Sequence, residues 1–243
     1  MGDEIINSSK KSGLPPGTLI HLGKVKTVKT TITTIKYNTS YYTKIENFKE
    51  ENLEFSDKNT FYWVNINGLQ DTALISKIGQ KLNLHPLLLE DILNTNHRPK
   101  MDEYDNYLFF TLKIVVVNKK SKKLVQEQVS FVLGDNWLLS FQEQYSPIFD
   151  IIYKRLQENK GIIRQKGVDY LMYSIIDVIV DHYFFVSEYF NDKVEQLEEK
   201  VLKDPSQDSL QNIQSLKRQL LNFRRSILPL REAVASLQKY YIT

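Results

Sequence analysis

The sequence predicts an α/β protein: an α/β/α layered sandwich with a mixed sheet, followed by a long antiparallel helical hairpin. Three observations carry this. Short runs alternating apolar and polar residues, the period of half-buried strands, recur up to about residue 145. Helical patterns interrupt those runs, so strands and helices share one core. Beyond residue 145 the apolar residues recur in steps of three and four to the end of the chain. The expected organisation is therefore 1–145 as an α/β domain and 146–243 as long helices packing on it.

Residues 1–17 are polar and end in Gly13-Leu-Pro-Pro-Gly17, an extended, turn-rich lead-in. The β-type runs are Thr18–Leu22, Thr30–Tyr37, Tyr62–Ile66, Tyr107–Val117, Lys123–Leu133 and Trp137–Phe141. The lysine-rich stretch Asn118–Lys123 is expected to be a solvated hairpin tip between two of them. Over 70–83, Leu74, Ile75, Ile78 and Leu82 predict a helix, and His85–Asn94 predicts another with Pro86 in its first turn.

Ser146-Pro147 opens a third helix over Ile148–Glu158. Val168 to Leu202 contains neither Pro nor Gly, and Leu171, Ile175, Ile179, Tyr183, Val186 and Phe190 follow helical spacing. A single helix of about 35 residues would span on the order of 50 Å. Asp204-Pro205 breaks it. Ile213, Leu216, Leu220, Phe223, Ile227, Leu230, Val234, Leu237 and Tyr241 then form a heptad seam, the mark of a helix lying along another helix. Pro229 predicts a kink within this last helix rather than its end.

Composition narrows the function. With 32 Lys+Arg against 29 Asp+Glu the formal charge is +3, too small to imply nucleic acid. A hydrophobic share of 42% and a charged share of 25% exclude a disordered chain. The absence of cysteine excludes disulfides, thiolate-bound zinc, iron–sulfur clusters and a thiol nucleophile. The best candidate for a membrane span, Tyr107–Val117, is about half of the 18–20 residues a span needs, and Lys113 sits in its middle. The first residues carry no secretory core, so the chain is expected to be soluble.

Two acidic pairs stand out. Glu90 and Asp91 are adjacent at the polar edge of an apolar helix. Asp177 and Asp181 lie four apart on the long helix and so face the same way. Like charges at that spacing oppose helix formation, and a cation between them would remove the penalty. Oxygen ligands favour a hard ion such as Mg2+ or Ca2+. The plain alternative is a set of solvated surface acids. His21, His85, His97 and His182 have no zinc-site spacing, and no Gly-rich phosphate loop or serine-nucleophile motif is present. A soluble metal-dependent hydrolase using Glu90, Asp91 and Asp177 is the enzymatic competitor. A scaffold whose hairpin binds a partner is another. On that hairpin Glu188, Asp192, Glu195, Glu198 and Glu199 oppose Lys217, Arg218, Arg224, Arg225 and Arg231, which reads as solvated faces and interhelical pairs or as a cation-attracting acidic tip.

Several motifs occur together, in order: Gly13-Leu-Pro-Pro-Gly17, His85-Pro-Leu-Leu-Leu-Glu-Asp-Ile-Leu-Asn94, Arg98-Pro-Lys100, Glu127-Gln-Val-Ser130, Phe141-Gln-Glu143, Gly161-Ile-Ile-Arg164, Asp169–Asp177 and Pro229-Leu-Arg-Glu232. In this the chain resembles the CorA magnesium transporter family. The resemblance implies a cytoplasmic funnel domain of a homopentamer in the inner or plasma membrane. It also implies a stalk, two membrane spans and a Gly-Met-Asn signature, which would lie beyond Thr243, so this portion alone is not expected to transport ions. It implies regulatory Mg2+ between subunits, with Co2+, Ni2+ or Ca2+ as substitutes in vitro. Asp91 would serve a first site; Glu90 and Asp177 would serve a second. Asp181 would be a neighbour one turn on, and Leu14 would lend its carbonyl. A zinc-transporting relative of the same architecture is the nearest rival.

Overall fold

The computed structural model describes residues 13, 15–22, 29–118, 121–203 and 206–242. Seven strands form one sheet: β1 (Thr31–Tyr37), β2 (Tyr42–Ile45), β3 (Phe61–Asn67), β4 (Lys100–Tyr104), β5 (Tyr107–Val117), β6 (Leu124–Leu133) and β7 (Trp137–Gln142). Their order is β2-β1-β3-β7-β6-β5-β4. The β3–β7 pair is parallel and every other pair antiparallel, so the sheet is mixed as expected.

Helices cover both faces. Helices α1 (Thr72–Lys81) and α2 (Pro86–Leu93) bury Ile75, Ile78, Leu88, Leu89, Ile92 and Leu93 against Val64, Ile66, Phe109, Val132, Leu139 and Phe141. On the other face, α3 (Ile148–Gln157) and α4 (Val168–Lys203) pack Phe149, Ile152, Leu171, Ile175 and Ile179 on Ile35, Trp63, Phe110, Leu112 and Phe131. Successive strand residues point to opposite faces, which is why Trp63 and Val64 join different clusters. Helix α5 (Gln207–Ile242) runs back along α4 and adds Leu230 and Ala233 to the second cluster.

Local chemistry fixes the helix ends. The Asp71 carboxylate accepts from the Leu74 N–H at 2.9 Å, capping α1. His85 Nδ1 accepts from the Leu87 N–H at 3.2 Å, and Pro86 follows at the first helical position. Arg164 closes α3: its Nε donates to the Leu156 carbonyl, and Nη2 donates to the Gln157 carbonyl at 2.8 Å. A Cβ on Gly79 would sit 2.3 Å from Leu89 Cδ1, so glycine is what lets α1 and α2 approach so closely.

Some expectations change. Thr18–Leu22 reduces to one bridge, Leu22 with Asn94, because its backbone meets the end of α2 rather than a strand. The short strands β2 and β4 lie at the two edges of the sheet and carry no alternating signal: β2 exposes Thr43, Lys44 and Ile45, and β4 reads Lys-Met-Asp-Glu-Tyr. The expected break at Asp204-Pro205 lies outside the described residues, as does the middle of Asn118–Lys123, whose ends pair through Asn118 N–H to the Lys123 carbonyl at 2.9 Å. Pro229 lies within continuous α5. The seam of α5 is half covered: Leu216, Phe223, Ile227, Leu230 and Leu237 pack on the core, whereas Ile213, Leu220 and Val234 remain exposed. Among the described residues, α4 is long and apolar enough to cross a membrane by length and composition; half of its most apolar window is buried inside the fold, as suits a helix lying on a sheet.

Candidate metal half-sites

Helix α2 has one buried face, so its polar edge is set by the same pattern that packs Leu88, Leu89, Ile92 and Leu93. Glu90 and Asp91 fall on that edge, both half-buried. The Gly17 N–H donates to Glu90 Oε2 at 2.8 Å. Gly17 has a φ of +82° and passes close to Pro86, a backbone that a side chain would strain. The Gly-Leu-Pro-Pro-Gly segment thereby reaches the acidic edge of α2. Leu14 itself lies outside the described residues.

Asp91 is held by two cationic or polar donors. His97 Nε2 lies 2.9 Å from Oδ1, and Lys100 Nζ lies 2.7 Å from Oδ2. Lys100 also reaches Asp102 Oδ2 at 2.6 Å. Burial pushes the Asp91 carboxyl up, but the His97 and Lys100 hydrogen bonds and the Lys100 charge outweigh it and hold it below the usual carboxylate range. Burial likewise lowers the Lys100 ammonium, and its bonds to Asp102 and Asp91 more than reverse that.

Asp177 and Asp181 are exposed on α4, while Ile175, Ile176, Val178 and Ile179 beside them are buried. The helix thus turns this acid pair away from the sheet. Tyr173, Phe184 and Phe185 are exposed on the same helix. Among the described residues, no group of three or more His, Cys, Asp or Glu converges to hold a metal ion. Glu90 and Asp91 lie on one layer of the sandwich and Asp177 and Asp181 on the other. The fit to a hard cation is therefore uneven. Asp177 and Asp181 offer exposed oxygen donors at one spacing. Both Asp91 oxygens already bond within the chain, Oδ1 with His97 and Oδ2 with Lys100. The pairing of Asp91 with Lys100 is not legible in the sequence, because nine residues of separation and a change from helix to strand hide it.

The fold is a three-layer sandwich extended by a pair of long helices, with carboxylates at the surface of α4 and at the polar edge of α2. Residues 58–242 match the family described as CorA-like Mg2+ transporter protein, and the chain belongs to that family. The cobalt/magnesium transport protein CorA of Thermotoga maritima is 40% identical over 232 residues, covering 95% of this chain and 66% of that protein. The soluble domain of CorA from Methanocaldococcus jannaschii superposes with a TM-score of 0.65 at 16% identity, covering 83% of this chain and 77% of that one. The ZntB cytoplasmic domain from Vibrio parahaemolyticus superposes at 0.66 with 14% identity, covering 86% and 80%. At these identities the two structures establish the fold alone. The family is one of membrane transporters, not of enzymes.

Proposed function

We propose that this chain is the cytoplasmic, divalent-ion-sensing domain of a CorA-type Mg2+ transporter in the cell membrane, with Co2+ as a second transported ion. In the assembled homopentamer, residues 1–145 form the funnel domain and 146–243 the helices that pack on it. Mg2+ between neighbouring protomers stabilises the closed state. One observation carries this reading: two acid pairs, Glu90–Asp91 half-buried and Asp177–Asp181 exposed, lie on a chain that matches the CorA-like Mg2+ transporter family over residues 58–242. A neighbouring protomer would complete each. The exposed apolar flank of the hairpin, including Ile213, Leu220, Leu221 and Leu228, supports further packing in an assembly.

The magnitudes suit a sensor. Bare carboxylates facing each other repel, and a hydrated cation offsets that repulsion. Mg2+ sheds water reluctantly, so contacts are partly water-mediated and affinity is modest. An ion at its own dissociation constant stabilises the bound state by about 0.4 kcal/mol per site. Two sites at each of five interfaces would supply about 4 kcal/mol, near the roughly 5.5 kcal/mol that swings a two-state equilibrium between extremes.

The test uses the assembled transporter. Asp91→Asn and Asp177→Asn should each weaken the protection that Mg2+ gives this domain against protease. Unchanged protection across a Mg2+ titration in both variants overturns the assignment. A zinc-selective transporter would instead show protection by Zn2+ at concentrations where Mg2+ does nothing. Turnover of a phosphoester by the purified chain would favour the hydrolase.

A further inference from the structure

The Glu127-Gln-Val-Ser130 motif is not used by the acid pairs themselves, yet it lies between them. Gln128 is buried on β6, on the face that packs against α2. Its Nε2 donates to the Asp91 carbonyl at 3.0 Å and lies 3.4 Å from the Ile92 carbonyl and 3.3 Å from Ser130 Oγ. Its backbone N–H donates to Glu143 Oε1 at 2.6 Å, which anchors the residue to the end of β7. Lys113 is its cross-strand partner on β5. Lys113 Nζ lies 3.4 Å from Gln128 Oε1 and donates to the Thr95 carbonyl, just past the end of α2. A cation there complements the negative end of the helix. Across the sheet, the Tyr183 hydroxyl donates to the Lys113 carbonyl. Tyr183 is buried on α4, two residues beyond Asp181.

We infer that Lys113 and Gln128 are positioning residues that hold the Asp91-bearing end of α2 and, through Tyr183, tie it to the sheet-facing side of α4, the helix that carries Asp177 and Asp181 on its outer side. This rests on the reading in which both acid pairs bind regulatory cations. The backbone of α2 is held from below by side chains whose own strand is fixed from the opposite layer. A shift of α4 therefore moves the Lys113 carbonyl, the strand that carries it and the donors that hold Asp91. The lysine that interrupts the apolar run of β5 thus has a task that a core leucine could not perform.

The test is amide hydrogen exchange on the whole chain without metal, comparing Lys113→Met, Lys113→Arg, Gln128→Leu and Tyr183→Phe with the parent. The probes are the Asn94 and Thr95 amides, which bond the Glu90 and Leu22 carbonyls, with the Leu84 amide, bonded to the Gly79 carbonyl, as control. Loss of one such bond should speed exchange at Asn94 and Thr95 about fivefold in Lys113→Met and Gln128→Leu, and measurably in Tyr183→Phe. Leu84 should be unchanged, and Lys113→Arg should stay near the parent. If Tyr183→Phe accelerates only amides of α4, or all variants accelerate Leu84 equally, the inference is overturned. A parallel MgCl2 titration of the parent tests the underlying reading separately: no protection near residues 91 and 177 in the assembled protein would sink that reading, whatever the metal-free exchange gives.

Discussion

Lys100 Nζ lies 2.7 Å from Asp91 Oδ2, and Asp91 keeps only 14% of its side chain exposed. The carboxylate that the family resemblance marks for a cation is already paired with one from its own chain. In the proposed reading an incoming Mg2+ would compete with this ammonium group, which would lower its affinity.

The pairing sets a pH dependence. The folded Asp91 carboxyl is held below its unfolded value, so its stabilisation is present above about pH 4 and is lost as pH falls through the folded value. Lys100 is raised, so its stabilisation is present below about pH 10.4 and is lost as pH climbs through its folded value. Urea denaturation at several pH values should show the parent more stable than Asp91→Asn at pH 7, with the gap closing in acid. A gap constant from pH 7 to pH 3 would show that the ion pair contributes nothing.

Removing the competitor should change the response to metal. Lys100→Met leaves a half-buried carboxylate without its ammonium partner, at a cost of about 1–2 kcal/mol. Added MgCl2 should restore part of that loss and raise the melting temperature more in the variant than in the parent. Equal Mg2+ responses would mean that Lys100 does not compete for Asp91.

The acid pair on α4 carries a local stability penalty. Asp177→Asn or Asp181→Asn should leave the fold intact and raise unfolding stability by about 0.2–0.5 kcal/mol without divalent ions, through relief of like-charge repulsion. Chemical denaturation with and without MgCl2 checks this, and the advantage should shrink as Mg2+ is added.

A structural prediction concerns the second cluster. Trp63 Nε1 donates to Ser140 Oγ at 2.9 Å, Ser140 Oγ and Gln142 Nε2 each donate to Asn65 Oδ1 at 2.7 Å, and Asn65 Nδ2 donates to the Tyr153 hydroxyl at 2.6 Å. Asn65→Ala should cost about 2–4 kcal/mol, because it leaves several buried polar groups unpaired at once. A loss below 1 kcal/mol in equilibrium unfolding would show that the network is not coupled.

Much of this architecture is legible without coordinates. Helices α1 to α5 and the long central strands follow from spacing alone, since each buries a face against its neighbours whatever those neighbours are. The edges are different. β2 and β4 exist because β1 and β5 offer them backbone partners, and edge strands with polar side chains have no period to read. Thr18–Leu22 is a β-type run in sequence but forms one bridge, Leu22 with Asn94, because its backbone runs past a helix end.

The acids follow the same division. Asp177 and Asp181 are legible as a pair because four residues is about one helical turn, a relation fixed along the chain. That Asp91 meets Lys100 and His97, that Gln128 holds its carbonyl, and that Tyr183 reaches Lys113 from the far layer are consequences of which surfaces the sheet brings together. Periodic burial is encoded residue by residue. Contacts between residues tens of positions apart are chosen only when the whole sandwich closes, and no spacing rule reaches that far.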